Sequence, residues 1–243
     1  MRHFANCRST PFIAPLCARS WLGCVAMRLN VTVICVSRQA VAARSRDTQP
    51  CLLLCHGVSG SGKSRASQAL ADRLGAIRLS SDAERKRLAG IAETARLPAS
   101  AYASCRTDAI YDTLRAHAQT VLESGYTAIV DATFLRERNR TAFIALAQCL
   151  EVRILILDFS TVRATLFARV AARVALRGDA SDADTAVLSG QLARAEPLTA
   201  TERALAIRFD TGVEPGAYED EPFWRPLLEA IATRRSERET ATP

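Results

Sequence analysis

The 243-residue sequence predicts an α/β fold, a parallel sheet covered by helices on both faces. Three observations carry that prediction. From residue 51 onward, short apolar runs of strand length alternate with stretches of helical periodicity. No hairpin signal appears between those runs, so successive strands are joined by crossover helices and run parallel. The first strand enters the first helix through Gly57-Val58-Ser59-Gly60-Ser61-Gly62-Lys63-Ser64, which meets the pattern G-x-x-x-x-G-K-[ST] at every fixed position.

The elements follow in order. Residues 51–56 form a short apolar run that reads as a buried strand. The glycines after it let the chain curl so that consecutive N–H groups face an anion. The next helix, 65–74, adds the partial positive charge of its N-terminus and sets Ala66, Ala69, Leu70 and Leu74 on one face. A nucleoside triphosphate is the expected ligand. Gly57, Ser59, Gly60, Ser61, Gly62, Lys63, Ser64 and Arg65 are its binding set, with Lys63 reaching the β- and γ-phosphates and the Ser64 hydroxyl binding Mg²⁺. The bland alternative is a glycine-rich turn that binds nothing, and the flanking strand and helix argue against it.

Residues 76–80 read as a second strand, and Ser81-Asp82 as the cap of a helix running through Arg85 and Leu88. Pro98 breaks the chain. A long helix is expected over 99–124, with Ala109, Ile110, Leu114, Ala118, Val121 and Leu122 on its buried side and Gly125 at its end. Residues 126–131 form a strand ending in a carboxylate, followed by a helix over 137–150. Residues 152–159 are the most apolar strand, followed by a helix from Thr161 to about Leu176, a polar turn at 177–182 and a helix over 184–195. Residues 206–210 are the last strand, 214–221 an acidic loop, and 223–234 a closing helix. The folded domain is expected over 51–236, with 237–243 a frayed tail.

Residues 1–50 differ from the rest. They hold seven arginines against one acid, Asp47, so most of the formal net charge of +7 lies there and the remainder is nearly neutral. A long nucleic acid is therefore not an indicated partner. The apolar stretch 21–36 is interrupted by Arg28 and Asn30, too broken for a membrane span. An Arg-rich, acid-poor leader resembles a transit peptide, and 27–36 faintly a signal sequence. The reading adopted is a basic, disordered extension. Eight cysteines include no C-x-x-C pair, which argues against zinc and for a reducing cytoplasm. His3, His56 and His117 suggest no catalytic constellation.

In a parallel sheet of this kind, ligands bind at the carboxyl ends of the strands. The polar residues there are the loop, Asp82, Asp131 with Thr133, the Ser160–Thr161 turn and Asp210–Thr211. Asp131 is preferred over its rival Asp158 as a metal-shell carboxylate, because Ala132-Thr133 continues into a polar turn. Asp82 and Arg85, three apart at a helix start, share a face. Asp82 suits a base for an attacking hydroxyl, and Arg85 suits holding the acceptor; the bland alternative is a capping Asp and a solvated Arg. Arg169, Arg173 and Arg177 form a stripe that reads either as a mobile lid stabilising phosphoryl charge or as a solvated basic face.

Taken with Ser81-Asp82-Ala83-Glu84-Arg85-Lys86-Arg87-Leu88-Ala89-Gly90, Ile129-Val130-Asp131-Ala132-Thr133-Phe134 and 178–184, the loop resembles a family. Residues 51–212 look like the P-loop kinase domain of the polynucleotide kinase-like, AAA family ATPase type. That domain is similar to the ATP-binding half of bifunctional aminoglycoside phosphotransferase/ATP-binding proteins and, more distantly, to gluconate kinases and zeta toxins. The resemblance implies a three-layer P-loop NTPase fold with an arginine-bearing lid, and Mg-ATP as cofactor. It implies Asp82 as the acceptor-activating base, Arg85 as its acceptor-side partner, and Asp131 and Thr133 near metal and acceptor. It implies Arg169 and Arg173 as lid arginines and Asp210-Thr211 near the adenine.

The expected function is transfer of the γ-phosphoryl group to a hydroxyl of a small molecule or a 5′-hydroxyl nucleic-acid end. Tyr102, Ser104 and Tyr111 are candidates for the acceptor pocket, though ordinary packing explains each of them alone. The alternative is a regulatory module that binds and slowly hydrolyses ATP without a small acceptor.

Overall fold

The computed structural model describes residues 24–29, 32–37, 49–91, 104–176 and 185–239. Five strands form one parallel sheet: β3 (Cys51–His56), β4 (Ile77–Ser80), β5 (Ala128–Asp131), β6 (Arg153–Ser160) and β7 (Ala206–Asp210). Their spatial order is β4-β5-β3-β6-β7. The strand that feeds the glycine loop is thus central, with β5 on one side and β6 on the other. The chain leaves β3 towards β4 and β5, and later leaves β6 towards β7. The crevice where that direction reverses lies at the carboxyl end of β3, under the loop.

Helices α1 (Lys63–Leu74), α2 (Ser81–Leu88), α3 (Ser104–Glu123), α4 (Glu137–Cys149), α5 (Arg163–Leu176), α6 (Thr185–Arg194), α7 (Ala200–Ala204) and α8 (Glu221–Glu239) complete the domain. Both sheet faces are covered. Leu52, Leu54, Val130 and Ile156 pack under Ile110, Leu114 and Ala118 of α3 and Phe143 of α4. Leu53, Ile129, Leu155 and Leu157 pack under Ala66 and Leu70 of α1 and Trp224 and Leu227 of α8. The continuous apolar runs seen in sequence reflect this double burial.

Several expectations are corrected. Helix α2 is capped by Ser80, whose Oγ accepts from Ala83 N–H at 3.4 Å, and not by Ser81-Asp82. The short helix α7 was not anticipated, although Thr199 and Glu202 form a complete capping box at its start. Helix α8 continues to Glu239, into the stretch expected to fray. In the basic extension, β1 (Cys24–Leu29) and β2 (Thr32–Ser37) pair antiparallel as a separate hairpin, where no hairpin was expected. Residues 92–103, which include Tyr102, and residues 177–184, which include Arg177 and the expected polar turn at 177–182, lie outside the described residues.

Candidate active site

The loop between β3 and α1 has the geometry that the glycines allow. Gly57, Gly60 and Gly62 all have positive φ, at 139°, 83° and 81°. A Cβ on Gly57 would lie 2.5 Å from the Phe159 carbonyl oxygen, and one on Gly62 would lie 2.7 Å from the Tyr218 hydroxyl. The Lys63 side chain is buried over the loop, its Nζ donating to the Val58 carbonyl at 2.8 Å and to Ser61 Oγ at 3.3 Å. Ser64 and Arg65 are exposed at the first turn of α1. One cationic side chain, curled backbone and a helix N-terminus therefore converge at one place, the arrangement a polyphosphate needs.

Beside the loop, β5 ends in Asp131, which is 4% exposed. Strand alternation puts Asp131 with Ile129 on the α1 face of the sheet, whereas Asp158 lies with Ile156 on the opposite face. Asp158 there accepts from His56 Nδ1 at 2.7 Å on the neighbouring strand. Sequence reasoning missed the partner of Asp131. Arg78 of β4 gives it an ion pair through Nη2 and donates from Nε to Ser67 Oγ of α1 at 2.8 Å. The signal was a lone arginine inside an apolar strand. The thiol of Cys55 reports how these charges crowd together: burial raises its pKa well above the ordinary value, Asp131 adds to that, and Lys63 and Arg78 oppose it.

The residues expected on the acceptor side come from three elements. Asp82 stands in the first turn of α2, 59% exposed at its side chain, with Oδ2 3.4 Å from Lys86 Nζ. Arg85, half-buried on the same helix, acts electrostatically on Tyr111 of α3. The buried Tyr111 hydroxyl accepts from Phe134 N–H at 2.9 Å and lies 3.4 Å from Thr133 Oγ1. Burial raises the Tyr111 pKa, against the pull of its hydrogen bonds to Thr133 and Phe134. Phe134 has φ 50°, rare for a bulky residue, and its ring packs edge-on between Tyr111 and Phe143. The Thr133 carbonyl accepts from Gly57 N–H at 3.1 Å, so the strand-end turn and the glycine loop are joined.

On the other flank, Arg169 of α5 donates from Nη2 to the Thr211 carbonyl at 2.6 Å, and its Nη1 is buried without a partner. Burial raises the Tyr218 pKa and the charge of Arg169 acts against it, and the Tyr218 hydroxyl is the atom that crowds Gly62. Thr211 is fully buried, with its N–H and Oγ1 both bound to the Ser160 carbonyl. Asp210 is exposed and accepts from Gly212 N–H at 2.8 Å. The structure thus brings Arg169, Thr211 and Tyr218 together beside the start of α1. Arg173 lies on α5 where only the backbone is described, as does Ser104 on α3.

Among the described residues, no group of three or more His, Cys, Asp or Glu side chains is arranged to hold a metal ion. The donor set at the loop, one hydroxyl and one carboxylate already paired with an arginine, suits Mg²⁺ held chiefly by phosphate oxygens and water.

The family model of the AAA domain matches residues 52–198, more than half of the chain. The chain belongs to the AAA domain family. The segment matched runs from the buried strand β3 through the glycine loop to the return segment after α6. None of the curated proteins matches this AAA domain protein. Among solved structures, a gluconokinase from Sinorhizobium meliloti 1021 is 18% identical, with a TM-score of 0.55 over 81% of this chain and 99% of that one. A sugar kinase from Janibacter sp. HTCC2649 is 20% identical, with a TM-score of 0.52 over 76% of this chain and 99% of that one. The Mycobacterium tuberculosis APS kinase, solved with AMPPNP and APS, is 16% identical, with a TM-score of 0.53 over 75% of this chain and 99% of that one. The AAA domain therefore has the α/β P-loop NTPase fold of these kinases. Among the described residues, no helix is long and apolar enough to cross a membrane.

Proposed function

We propose that this AAA domain protein is a kinase that moves the γ-phosphoryl group of Mg-ATP to a hydroxyl. The observation that carries the reading is Asp82. It stands after β4 at the carboxyl edge of the sheet, and because Ser80 supplies the cap of α2, its carboxylate is not used in capping and its contact is with Lys86 Nζ at 3.4 Å. In the proposed reaction the acceptor O–H gives its proton to Asp82, the acceptor oxygen forms a bond to Pγ, and the bond from Pγ to the β-bridging oxygen breaks to leave ADP. Lys63, the loop amides and Arg65 hold the phosphates. Bound Mg²⁺ would offset phosphate charge, with the Ser64 hydroxyl and Asp131 in its shell. Arg85 and Thr133 orient the acceptor, and Tyr111 fixes the turn that carries Thr133. Arg169 and Arg173 are assigned to charge stabilisation, and Asp210–Thr211 to the adenine edge.

The hydroxyl class is supported by the resemblance in motif order and by the fold shared with a sugar kinase and a gluconokinase. Aminoglycosides, sugars, sugar acids and 5′-hydroxyl nucleic-acid ends all remain within that class. The free thiols of Cys51, Cys55 and Cys149 suit a cytoplasmic protein.

A second reading, an ATP-hydrolysing regulatory module without a small acceptor, is favoured by the exposure of Asp82 and its contact with Lys86. One experiment separates the two. Labelled γ-phosphate is followed from ATP into pools of sugars, aminoglycosides and 5′-hydroxyl oligonucleotides, with Asp82→Ala in parallel. Label entering one pool, and lost in the variant, establishes the kinase. Phosphate released only to water, equally in both proteins, removes Asp82 as base and leaves the regulatory reading.

A further inference from the structure

One loop N–H is already engaged by a side chain from far along the chain. Ser59 N–H donates to Gln191 Oε1 of α6 at 2.8 Å, across 132 residues of sequence. Helix α6 is docked for this contact. Leu188 is fully buried against Leu166 and Val170 of α5, with Val58 of the loop and Leu192 packed on the same cluster. Residues 188, 191 and 192 share a helix face, so the packing that seats Leu188 and Leu192 brings Gln191 to Ser59.

The contact also fixes the orientation of the carboxamide. A backbone N–H can only donate, so the atom facing it is the oxygen, and the Nε2 group with its two donors is the other end. Among the described residues no hydrogen bond engages that Nε2. Two N–H donors held beside a loop built for phosphates, in a site with a buried lysine, suit an anionic oxygen.

We propose that Gln191 binds the γ-phosphoryl group: Oε1 stays on Ser59 N–H while Nε2 donates to a γ-oxygen. This makes α6 the element that distinguishes nucleoside triphosphate from diphosphate. The inference rests on the nucleotide-binding reading above and is independent of which acceptor is used.

The test is equilibrium binding of AMPPNP and of ADP, each with Mg²⁺, to the full chain and to Gln191→Glu and Gln191→Ala. Equal thermal stability of the three proteins is the entry condition, and Gln191→Asn replaces any variant that fails it. Glutamate keeps an acceptor for Ser59 but removes the donors and adds repulsion. It is expected to weaken AMPPNP by roughly 10- to 100-fold, the worth of a hydrogen bond to a charged group, and to change ADP less than about twofold. Alanine, or asparagine in its place, is expected to weaken AMPPNP in the same selective way. Equal loss for both nucleotides would make Gln191 a brace of the loop and overturn the proposal. So would no change in either, or tighter AMPPNP binding by the alanine variant, which would mark Gln191 as a stand-in that the phosphate displaces. If the unaltered protein binds neither nucleotide, the nucleotide reading itself falls and takes this proposal with it.

Discussion

Replacing Arg140 with methionine tests how the strand-end turn is held. The guanidinium is fully buried and clamps Glu202, with Nε to Oε1 at 2.7 Å and Nη2 to Oε2 at 3.0 Å. It also donates to the carbonyls of Phe134 (3.0 Å), Glu196 (3.2 Å) and Pro197 (3.2 Å). These bonds fasten the turn after Asp131 to the return segment after α6, where Glu196 N–H reaches the Leu135 carbonyl at 2.8 Å. Arg140→Met leaves the Glu202 carboxylate, 3% exposed, without its counter-charge. Breaking one side of a buried ion pair costs about 3–5 kcal/mol. For a domain of this size that lowers the melting temperature by roughly 6–20 °C. The assay is urea unfolding at pH 7 for Arg140→Met and for the double variant Arg140→Met/Glu202→Leu. The double variant is expected to recover most of the loss, because the stranded charge goes with its partner. A single-variant loss below about 1 kcal/mol, the level of an exposed pair, would refute the reasoning. A double variant no more stable than the single would do the same.

Other predictions follow from the same contacts. Burial pushes the Glu202 carboxyl up, but hydrogen bonds from Arg140 and Thr199 N–H outweigh it and hold the pKa below the ordinary value. The stabilisation from this carboxylate is therefore complete above the unfolded-state pKa and is lost as pH falls through the lower folded one; the stability gap between the wild-type chain and Arg140→Met should narrow on acidification below that range. Tyr111→Phe leaves the buried Phe134 N–H without an acceptor and should cost about 1–3 kcal/mol in chemical denaturation, with transfer activity falling as the Thr133 turn loosens. Gly62→Ala strains a backbone at φ 81° and drives a Cβ towards the Tyr218 hydroxyl. It should cost on the order of 1–3 kcal/mol, and adding Tyr218→Phe should restore part of that in a melting experiment. An unchanged melting temperature for Gly62→Ala alone would count against the crowding.

What the sequence alone determined was local. The loop 57–64 is recognisable because glycine tolerance of positive φ and the anion preference of a helix N-terminus act over a few adjacent residues. The alternation of apolar runs with helical periods is equally local, and it correctly implied a parallel sheet. The preference for Asp131 over Asp158 rested on the residues just after each strand, and the structure shows what surrounds each carboxylate. The two carboxylates face opposite sides of the sheet, Asp158 bonded to His56 and Asp131 in an ion pair with Arg78.

Tertiary structure alone decided the pairings across the chain. Nothing near Arg78 in sequence points to Asp131, nothing near Arg140 points to Glu202, and nothing near Gln191 points to the loop at Ser59. Each pairing depends on strand order and helix docking, which are set by how both sheet faces are buried at once. The cap of α2 shows the boundary between the two kinds of information. Ser80 and Ser81 are both competent caps, and only the point where β4 leaves the sheet makes Ser80 the one that is used, so the Asp82 carboxylate is not taken up in capping.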